Sequence, residues 1–269
     1  MKPYYQDEYV TIYHGDCREI VPTLGMFDLL LTDPPCGIDV AKTGKVGGNN
    51  KGIAKDYGAS EWDKTAPARW ILDMCREHAT WAVLWGGNYF DGLPPARGWL
   101  VWDKDNTGDF ADCELAWTNL ETAVRKFRFR WNGMLQENMA HKEPRWHPTQ
   151  KPAPLLTWCI GLAGDVQTIL DPFAGSGTTG RAAKDLGRKA VLIEREERYC
   201  EIAVKRMAQG VLDFGTANNS EEERYCEIAV KRRAQGVLDF GTAVPQAGRG
   251  TPRTVEPIVG SLEVDHAND

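Results

Sequence analysis

Short apolar runs that end in turn residues alternate with amphipathic stretches along most of this chain. Strands are predicted where apolar residues are consecutive, at 9–13, 27–31, 81–85, 99–102, 168–171 and 189–193, with weaker candidates at 115–117 and 127–131. Helices are predicted at 17–24, 67–78 and 178–186. This alternation favours an α/β fold built on a doubly wound, mostly parallel sheet, with an antiparallel strand expected at its edge.

The strand predicted at 27–31 runs into the sequence Thr-Asp-Pro-Pro-Cys-Gly at 32–37. Neither proline has an N–H for the strand ladder, so the chain must leave the sheet at Asp33. One carboxylate and two carbonyl oxygens are thereby fixed at the carboxyl end of a strand, where open α/β sheets bind ligands. An amino group docked there would meet Asp33 and the rigid Pro34 carbonyl together. The alternative is a tight turn with a solvated aspartate.

A second strand-end motif follows the strand that ends at Asp171. A turn containing Gly175, Gly177 and Gly180 leads into the predicted helix, and the next strand ends in Glu194, 23 positions after Asp171. Glycines allow close backbone approach to a ligand, and an acidic residue at this distance is typical of ribose recognition. No lysine follows the turn, which excludes a phosphate-binding P-loop. The unit therefore predicts a site for a nucleoside-bearing cofactor.

Composition limits the remaining possibilities. The seven cysteines form no Cys-x-x-Cys pair, and the histidines lack ligand spacing, so neither a disulfide framework nor a metal site is expected. The N-terminus has no apolar core of signal-peptide type and no run approaches membrane-spanning length, so a cytoplasmic protein without a membrane partner is expected. With a net charge of −6, any surface for nucleic acid must be a local patch.

One such patch is predicted between Arg125 and Lys151, where seven basic residues stand against two acidic ones. Aromatic residues are interleaved with them, and this composition is typical of a nucleic-acid surface. The alternative is an amphipathic edge strand whose aromatic side chains, Phe127, Phe129 and Trp131, face the core. Both interpretations can hold at once, and 125–147 is the candidate DNA-contacting segment.

In their order along the chain, these motifs resemble the S-adenosylmethionine-dependent DNA amino-methyltransferases of the permuted beta class. The Asp-Pro-Pro motif at 33–35 comes early, and the Phe-x-Gly-x-Gly motif at 173–177 comes late. Segments at 15–16, 86–88 and 147–152 are also similar to family segments, so the resemblance covers roughly residues 9 to 212. It implies a Rossmann-like methyltransferase domain.

The resemblance also implies roles for particular residues. Double-stranded DNA would be the partner, with its target base flipped into the site, and Asp33 and Pro34 would orient the exocyclic amine toward the methyl group of S-adenosylmethionine. The implied catalytic set is Asp33, Pro34, Pro35 and Cys36. Glu194 would hold the ribose and Asp16 the adenine end of the cofactor. The remaining implied cofactor contacts are Thr149, Lys151, Asp171, Phe173, Gly175, Ser176, Gly177 and Thr178.

Cys36 departs from the family, which normally has an aromatic residue there to stack on the flipped base. Trp85 or Tyr89 is a candidate substitute; otherwise the base is held more weakly or the enzyme is impaired. Asp33 favours adenine N6 as the target over cytosine N4. A cytosine-C5 enzyme that uses Cys36 as its nucleophile is a further alternative, although those enzymes place the cofactor motif first.

The end of the sequence contains a repeat. Residues 196–217 recur at 222–243 with one change, Met207 to Arg233. The first copy is predicted to dock an apolar face on the sheet, which gives a catalytic domain at 1–217 with a surface loop at 41–63. The second copy, within 218–243, is predicted to be a surplus helix, and 244–269 a disordered tail. We expect a monomer or homodimer, bacterial or encoded by a phage in a bacterial host.

Overall fold

A computed structural model of the chain describes residues 1–38, 45–46, 55–56, 63–105, 111–132, 135–139, 143–147 and 149–208. Most of the predicted loop at 41–63, the repeat copy at 218–243 and the predicted tail at 244–269 lie outside the described residues.

Thirteen strands and five α-helices alternate along the described chain. The strands are β1 Tyr5–Gln6, β2 Val10–His14, β3 Phe27–Thr32, β4 Lys45–Val46, β5 Lys55–Asp56, β6 Ala79–Trp85, β7 Gly98–Asp103, β8 Cys113–Thr118, β9 Arg125–Arg128, β10 Trp131–Asn132, β11 Leu135–Gln136, β12 Thr168–Asp171 and β13 Lys189–Glu194. The helices are α1 Cys17–Ile20, α2 Arg69–Glu77, α3 Ala153–Ala163, α4 Thr178–Asp185 and α5 Glu197–Met207. Short 3₁₀ turns span Val21–Thr23 and Gly87–Tyr89.

Nine of the strands form one mixed sheet in the order β1-β2-β13-β12-β3-β6-β8-β7-β9. The five strands from β2 to β6 in this order are mutually parallel, which confirms the mostly parallel sheet. An antiparallel strand does lie at one edge, β1. A second antiparallel strand, β8, lies inside the sheet between β6 and β7, and the other edge strand, β9, runs parallel to β7.

Helices cover both faces of the sheet, as the doubly wound prediction requires. Alternate residues of β3 point to opposite faces, so that Leu29 and Leu31 join one core while Leu30 joins the other. The helices α3, α4 and α5 pack on the first face, and α1 and α2 pack on the second. Both faces of the central strands are therefore apolar.

The order of the parallel strands creates the crevice of the fold. The strands β2, β3 and β6 come early in the sequence, and β12 and β13, which come late, lie between β2 and β3 in the sheet. Consequently the carboxyl ends of β3 and β12, which carry the two motifs, are adjacent although they lie far apart in sequence. Such a switch in strand order is where open α/β sheets bind ligands.

The described part of the first repeat copy, α5, docks on the sheet as predicted. Tyr199, Ala203 and Met207 of α5 are almost fully buried, whereas Ile202 is half-buried. Because the position of Met207 is in the core, the arginine that replaces it in the second copy would carry a charge into an apolar site. The two copies are therefore not equivalent occupants of this face.

Candidate functional site

The Asp-Pro-Pro turn begins where β3 ends, at Thr32. Pro34 is buried, and the backbone N–H of Gly37 donates to the carboxylate of Asp63 at 3.1 Å, which holds the turn from the far side. The Asp33 side chain is 30% exposed and opens into a cavity. The turn therefore presents a carboxylate at a strand end, as the two prolines predict.

The neighbouring strand, β12, ends in a carboxylate that is held by uncharged donors. Asp171 Oδ1 accepts a hydrogen bond of 2.6 Å from the Thr32 hydroxyl and one of 3.2 Å from the Phe173 N–H. Burial raises the pKa of Asp171 to about 6, against the opposing effect of these donors. Asp171 thus connects the catalytic turn to the loop that follows β12.

In that loop Gly175 has a left-handed φ of +51°, and its N–H donates to Glu194 Oε2 at 2.8 Å. The other oxygen of Glu194 accepts from the Glu196 N–H at 2.7 Å, and burial raises the pKa of Glu194. A Cβ at Gly175 would meet only the His147 ring within 4 Å, at 3.9 Å. The loop therefore leaves an open cradle directly beside the half-buried carboxylate of Glu194.

Gly177 serves packing and does not line the cavity. Its φ is +77°, and an added Cβ would lie 2.7 Å from the Cβ of Ala203 on α5. The glycine therefore allows α5 to approach the start of α4.

A cavity of about 510 Å³ collects most of the predicted site residues. From the predicted set, its walls include Asp16, Asp33, Pro35, Thr149, Lys151, Asp171, Phe173, Gly175, Ser176, Thr178 and Glu194. Three predicted residues, Pro34, Cys36 and Gly177, are not among the lining residues. The two motifs thus share a single cavity.

Asp16 is the N-cap residue of α1, and its carboxylate caps the helix. It accepts hydrogen bonds from the backbone N–H of Arg18 at 2.9 Å and from the Arg18 guanidinium at 2.9 and 2.5 Å. These bonds lower the pKa of Asp16. Asp16 therefore forms a negatively charged wall of the cavity.

Lys151 is the cation of the catalytic side and is only 7% exposed. Its Nζ lies 2.5 Å from Asp33 Oδ2 and 3.2 Å from Glu114 Oε2, and the other oxygen of Glu114 pairs with Lys104. Burial opposes the charge of Lys151, but the two carboxylates outweigh it and raise its pKa. Burial likewise acts to raise the pKa of Glu114, but the two lysines bring it to about 2. Burial raises the pKa of Asp33. Lys151, which Asp33 shares with Glu114, opposes this effect only in part.

His147 forms the part of the wall next to the cofactor loop. Its ring packs edge-on against Tyr199 at 4.5 Å, and its Nδ1 lies 3.1 Å from the Thr149 hydroxyl. Burial, together with nearby cationic side chains, lowers the pKa of His147 to about 3. The ring is therefore neutral at physiological pH.

Arg206 of α5 is a site residue that the sequence patterns did not indicate. Its buried guanidinium donates to the Ser176 carbonyl and hydroxyl at 3.2 and 3.1 Å, to the Thr178 hydroxyl at 2.9 Å and to Glu143 at 2.7 Å. It supports the glycine-rich loop from beneath. The equally unforeseen Glu114 and Lys104 come from β8 and the end of β7, whose sequences carry no motif.

In the basic segment, three aromatic residues face the core, as the edge-strand interpretation predicts. Phe127, Phe129 and Trp131 are buried, while Arg128 and Arg130 are exposed and pair with Asp105. The predicted single strand at 127–131 is divided into β9 and β10, because Phe129 leaves the ladder and donates only to Asp103. Including Lys151 in this surface patch was wrong, since that residue is buried in the cavity.

Cys36 packs at the back of the catalytic turn. Its thiol is 3.6 Å from the Pro34 carbonyl, and a Cβ on Gly86 would come within 2.5 Å of the sulfur. Burial and the neighbouring Asp33 raise the pKa of Cys36 to about 12. Of the candidate stacking residues, Trp85 lines the cavity, and Tyr89 is half-exposed beside Gly86.

The described residues contain no group of three or more His, Cys, Asp and Glu side chains that could hold a metal ion. Within the same part of the chain, no helix combines the length and apolar character needed to cross a membrane. A glycine cradle, a half-buried carboxylate at the next strand end and an aspartate at a third strand end fit a nucleoside cofactor beside a reacting amine. Fold and cavity together fit an α/β enzyme that binds a nucleoside-bearing cofactor.

Comparison with known proteins gives matches to DNA methyltransferases. Residues 101–205 match the N6_N4_Mtase family model, described as DNA methylase. The chain is 28% identical to the type II methyltransferase M2.LlaDCHI of Lactococcus lactis subsp. cremoris, over 78% of this chain and 93% of that protein. It is 27% identical to M2.DpnII of Streptococcus pneumoniae, over 77% and 92%. The crystal structure of the M1.HpyAVI–SAM complex superposes with a TM-score of 0.48 and 20% identity, over 74% of this chain and 99% of that one.

These matches support an S-adenosylmethionine-dependent DNA amino-methyltransferase. This confirms the class that the motif order predicted. S-adenosylmethionine is the cofactor, and DNA is the substrate.

Proposed function

We propose that this enzyme methylates the N6 amine of adenine in double-stranded DNA after the target base has been flipped into the cavity beside Asp33. The main support is that Asp33 and the glycine-rich cofactor loop open into the same cavity. An exocyclic amine is accessible to such a site only when the base leaves the helical stack. The position of Asp33 in the wall of the cavity therefore supports base flipping.

Asp33 and the Pro34 carbonyl are proposed to accept hydrogen bonds from the amine and so direct its lone pair into the cavity. Bound S-adenosylmethionine supplies a methyl group on a positively charged sulfur. Holding an amine at near-attack distance accounts for most of the rate enhancement in a displacement of this kind. Asp33 therefore acts by orientation and need not be a strong base.

The cofactor is proposed to occupy the cradle at Gly175, with its ribose at Glu194 and its adenine end at Asp16. Glu194 already accepts two backbone N–H groups, so its carboxylate is fixed before a ribose hydroxyl approaches. Further proposed contacts come from Thr149, Lys151, Asp171, Phe173, Ser176 and Thr178. Gly177 contributes by shaping the loop.

The state of Cys36 argues against a cytosine-C5 enzyme. Covalent attack on a base requires a thiolate, and a cysteine whose pKa is about 12 is protonated at neutral pH.

Base stacking is assigned to Trp85 or Tyr89 in place of the aromatic residue that Cys36 replaces. Adenine is favoured over cytosine N4 because Asp33 resembles the adenine-specific enzymes in this position.

The biological setting is proposed from the named relatives, which are type II methyltransferases of bacteria. We infer a site-specific enzyme of a restriction–modification system that acts in the cytoplasm of a bacterium or of a phage-infected host, as a monomer or homodimer. Exposed basic residues of 125–147, such as Arg125 and Arg128, are the proposed phosphate contacts.

The decisive experiment measures transfer of a labelled methyl group from S-adenosylmethionine to unmethylated DNA and identifies the modified base. N6-methyladenine is expected, with transfer abolished in Asp33→Ala and retained in Cys36→Ser. N4-methylcytosine would reassign the target. 5-Methylcytosine that disappears in Cys36→Ser would overturn the mechanism, and cofactor binding without transfer would indicate an impaired homologue.

A further inference from the structure

Four side chains of alternating charge lie in a row at the catalytic end of the cavity, in the order Asp33, Lys151, Glu114, Lys104. Lys151 contacts both carboxylates through one Nζ, at 2.5 Å to Asp33 and 3.2 Å to Glu114. Lys104 holds the opposite oxygen of Glu114. The catalytic carboxylate thus shares its cation with a second carboxylate.

The surroundings keep this row in place. Glu114 on β8 lies opposite Trp102 of β7, and Lys104 follows β7 directly. The Nζ of Lys104 lies 5.0 Å from the Trp102 ring centre, and the Nζ of Lys151 lies 5.6 Å from that of Trp85. Each lysine of the row therefore lies next to the ring of one tryptophan.

A lysine fixed on Asp33 is incompatible with the proposed reaction. It occupies one of the two oxygens through which Asp33 could accept a hydrogen bond from the substrate amine. It also repels the positive charge that the amine nitrogen acquires as its new bond forms, and such repulsion is strong in a desolvated site. Lys151 must therefore move away from Asp33 during catalysis, and a buried ammonium moves only toward another acceptor.

We propose that Lys151 is a movable counter-ion, which neutralises Asp33 while no base is bound and shifts onto Glu114 when the amine docks. This rests on the proposed function of Asp33. Glu114 is then a positioning residue, which acts on the reaction through Lys151. The shift requires no backbone movement, because Nζ already lies within 3.2 Å of the receiving oxygen.

The ionisation of the receiving group supports this assignment. The lysines on either side hold the pKa of Glu114 at about 2, so it is a carboxylate throughout the working pH range. Because Lys104 fixes its other oxygen, Glu114 is held in position to receive Lys151.

The test is the single-turnover rate of methyl transfer at saturating S-adenosylmethionine, with cofactor affinity measured separately. Glu114→Gln is expected to slow transfer by about tenfold or more while the cofactor Kd changes by less than about twofold. Glu114→Asp, which keeps the charge, is expected to restore most of the rate. Glu121→Gln, an exposed glutamate that follows the same strand, is the matched control and should match the unsubstituted enzyme.

A double variant separates this role from a structural one. In Glu114→Gln the lysine remains on Asp33, so adding Lys151→Met should free Asp33. Because burial then raises the pKa of Asp33 without an opposing cation, the rates are compared at the alkaline end of the assay range, where the double variant should be about threefold or more faster than Glu114→Gln alone. Melting temperatures establish that each variant is folded at the assay temperature.

The contrary outcomes are distinct. A Glu114→Gln rate equal to that of the unsubstituted enzyme, or a double variant no faster than Glu114→Gln, would overturn the counter-ion role. Failure of the unsubstituted enzyme to methylate DNA would refute the proposed function itself.

Discussion

Two pairs of carboxylates at the cavity are held in different ways. On the cofactor side, Asp171 and Glu194 accept hydrogen bonds from uncharged hydroxyl and backbone N–H donors. On the catalytic side, Asp33 and Glu114 are paired with lysine. Backbone donors cannot leave, whereas a lysine on a flexible stem can change partners. The cofactor side is therefore fixed in advance, and the catalytic side can respond to a substrate.

The pKa values follow the same division. Without a cationic partner, burial raises the pKa of Asp171 to about 6 and also raises that of Glu194. Between two lysines, the pKa of Glu114 falls to about 2 despite its burial. Asp33 lies between these cases, since it shares its lysine and its pKa is raised. Charge pairing, more than depth, decides which carboxylates are ionised.

The largest expected effect comes from replacing Arg206, whose guanidinium donates hydrogen bonds to the glycine-rich loop. Arg206→Met leaves the Glu143 carboxylate and the Ser176 carbonyl without this donor, and losing one partner of a buried pair costs about 3–5 kcal/mol. Urea denaturation should show this loss, and calorimetry should show weaker S-adenosylmethionine binding.

The matched control is Arg188→Met. Arg188 pairs at 3.5 Å with Asp165, whose side chain is 92% exposed, so its loss should cost at most about 1 kcal/mol. Equal stability losses in the two arginine variants would show that Arg206 does not support the loop.

Arg206 also shows what sequence patterns can and cannot predict here. Asp33, Asp171 and Glu194 each follow an apolar run, so their places at strand ends follow from local sequence. Gly175 and Gly177 were predicted together, but only the structure separates the cradle from the packing contact with Ala203. Their different roles depend on which element lies opposite.

Residues that act through distant partners gave no local signal. Arg206 lies on a helix whose charges resemble those of any solvated helix face, and Glu114 lies in a short strand. The position of β8 inside the sheet was likewise not predicted, because pairing with β6 and β7 depends on segments brought together by folding. The alternation of Phe127 and Arg128, by contrast, predicted correctly which side faces the core.

A second prediction sharpens the contrast through pH. A carboxyl whose pKa rises from 3.8 when unfolded to about 6 when folded binds more protons in the native state between those values. Asp171 therefore removes roughly 2 kcal/mol of stability as the pH rises from 4 to 6. Asp171→Asn keeps the Oδ1 acceptor and should lack this decline. Glu114 has the opposite sign, because its lowered pKa makes stability fall on acidification.

The measurement is the free energy of unfolding from urea titrations between pH 4 and 8 without cofactor. The exposed Asp165, as Asp165→Asn, serves as the control and should keep the pH profile of the unsubstituted protein. If the unsubstituted protein and Asp171→Asn gave superimposable pH profiles, ionisation of Asp171 would not change the free energy of unfolding. That result would contradict the proposed difference between Asp171 and Glu114.

The smallest predicted effect concerns His147, which ties the cofactor wall to α5. Its pKa of about 3 lies below the ordinary 6.5, so the unfolded chain binds the extra proton between these values, and stability is lost as the pH falls. From pH 6.5 to 5 this loss is about 2 kcal/mol, and it should be missing from His147→Gln. Thr149→Val removes the hydroxyl next to Nδ1 but keeps the ring, so it should retain the acid dependence. If Thr149→Val flattened the pH profile as much as His147→Gln, the hydroxyl contact, and not burial of the ring, would control the titration.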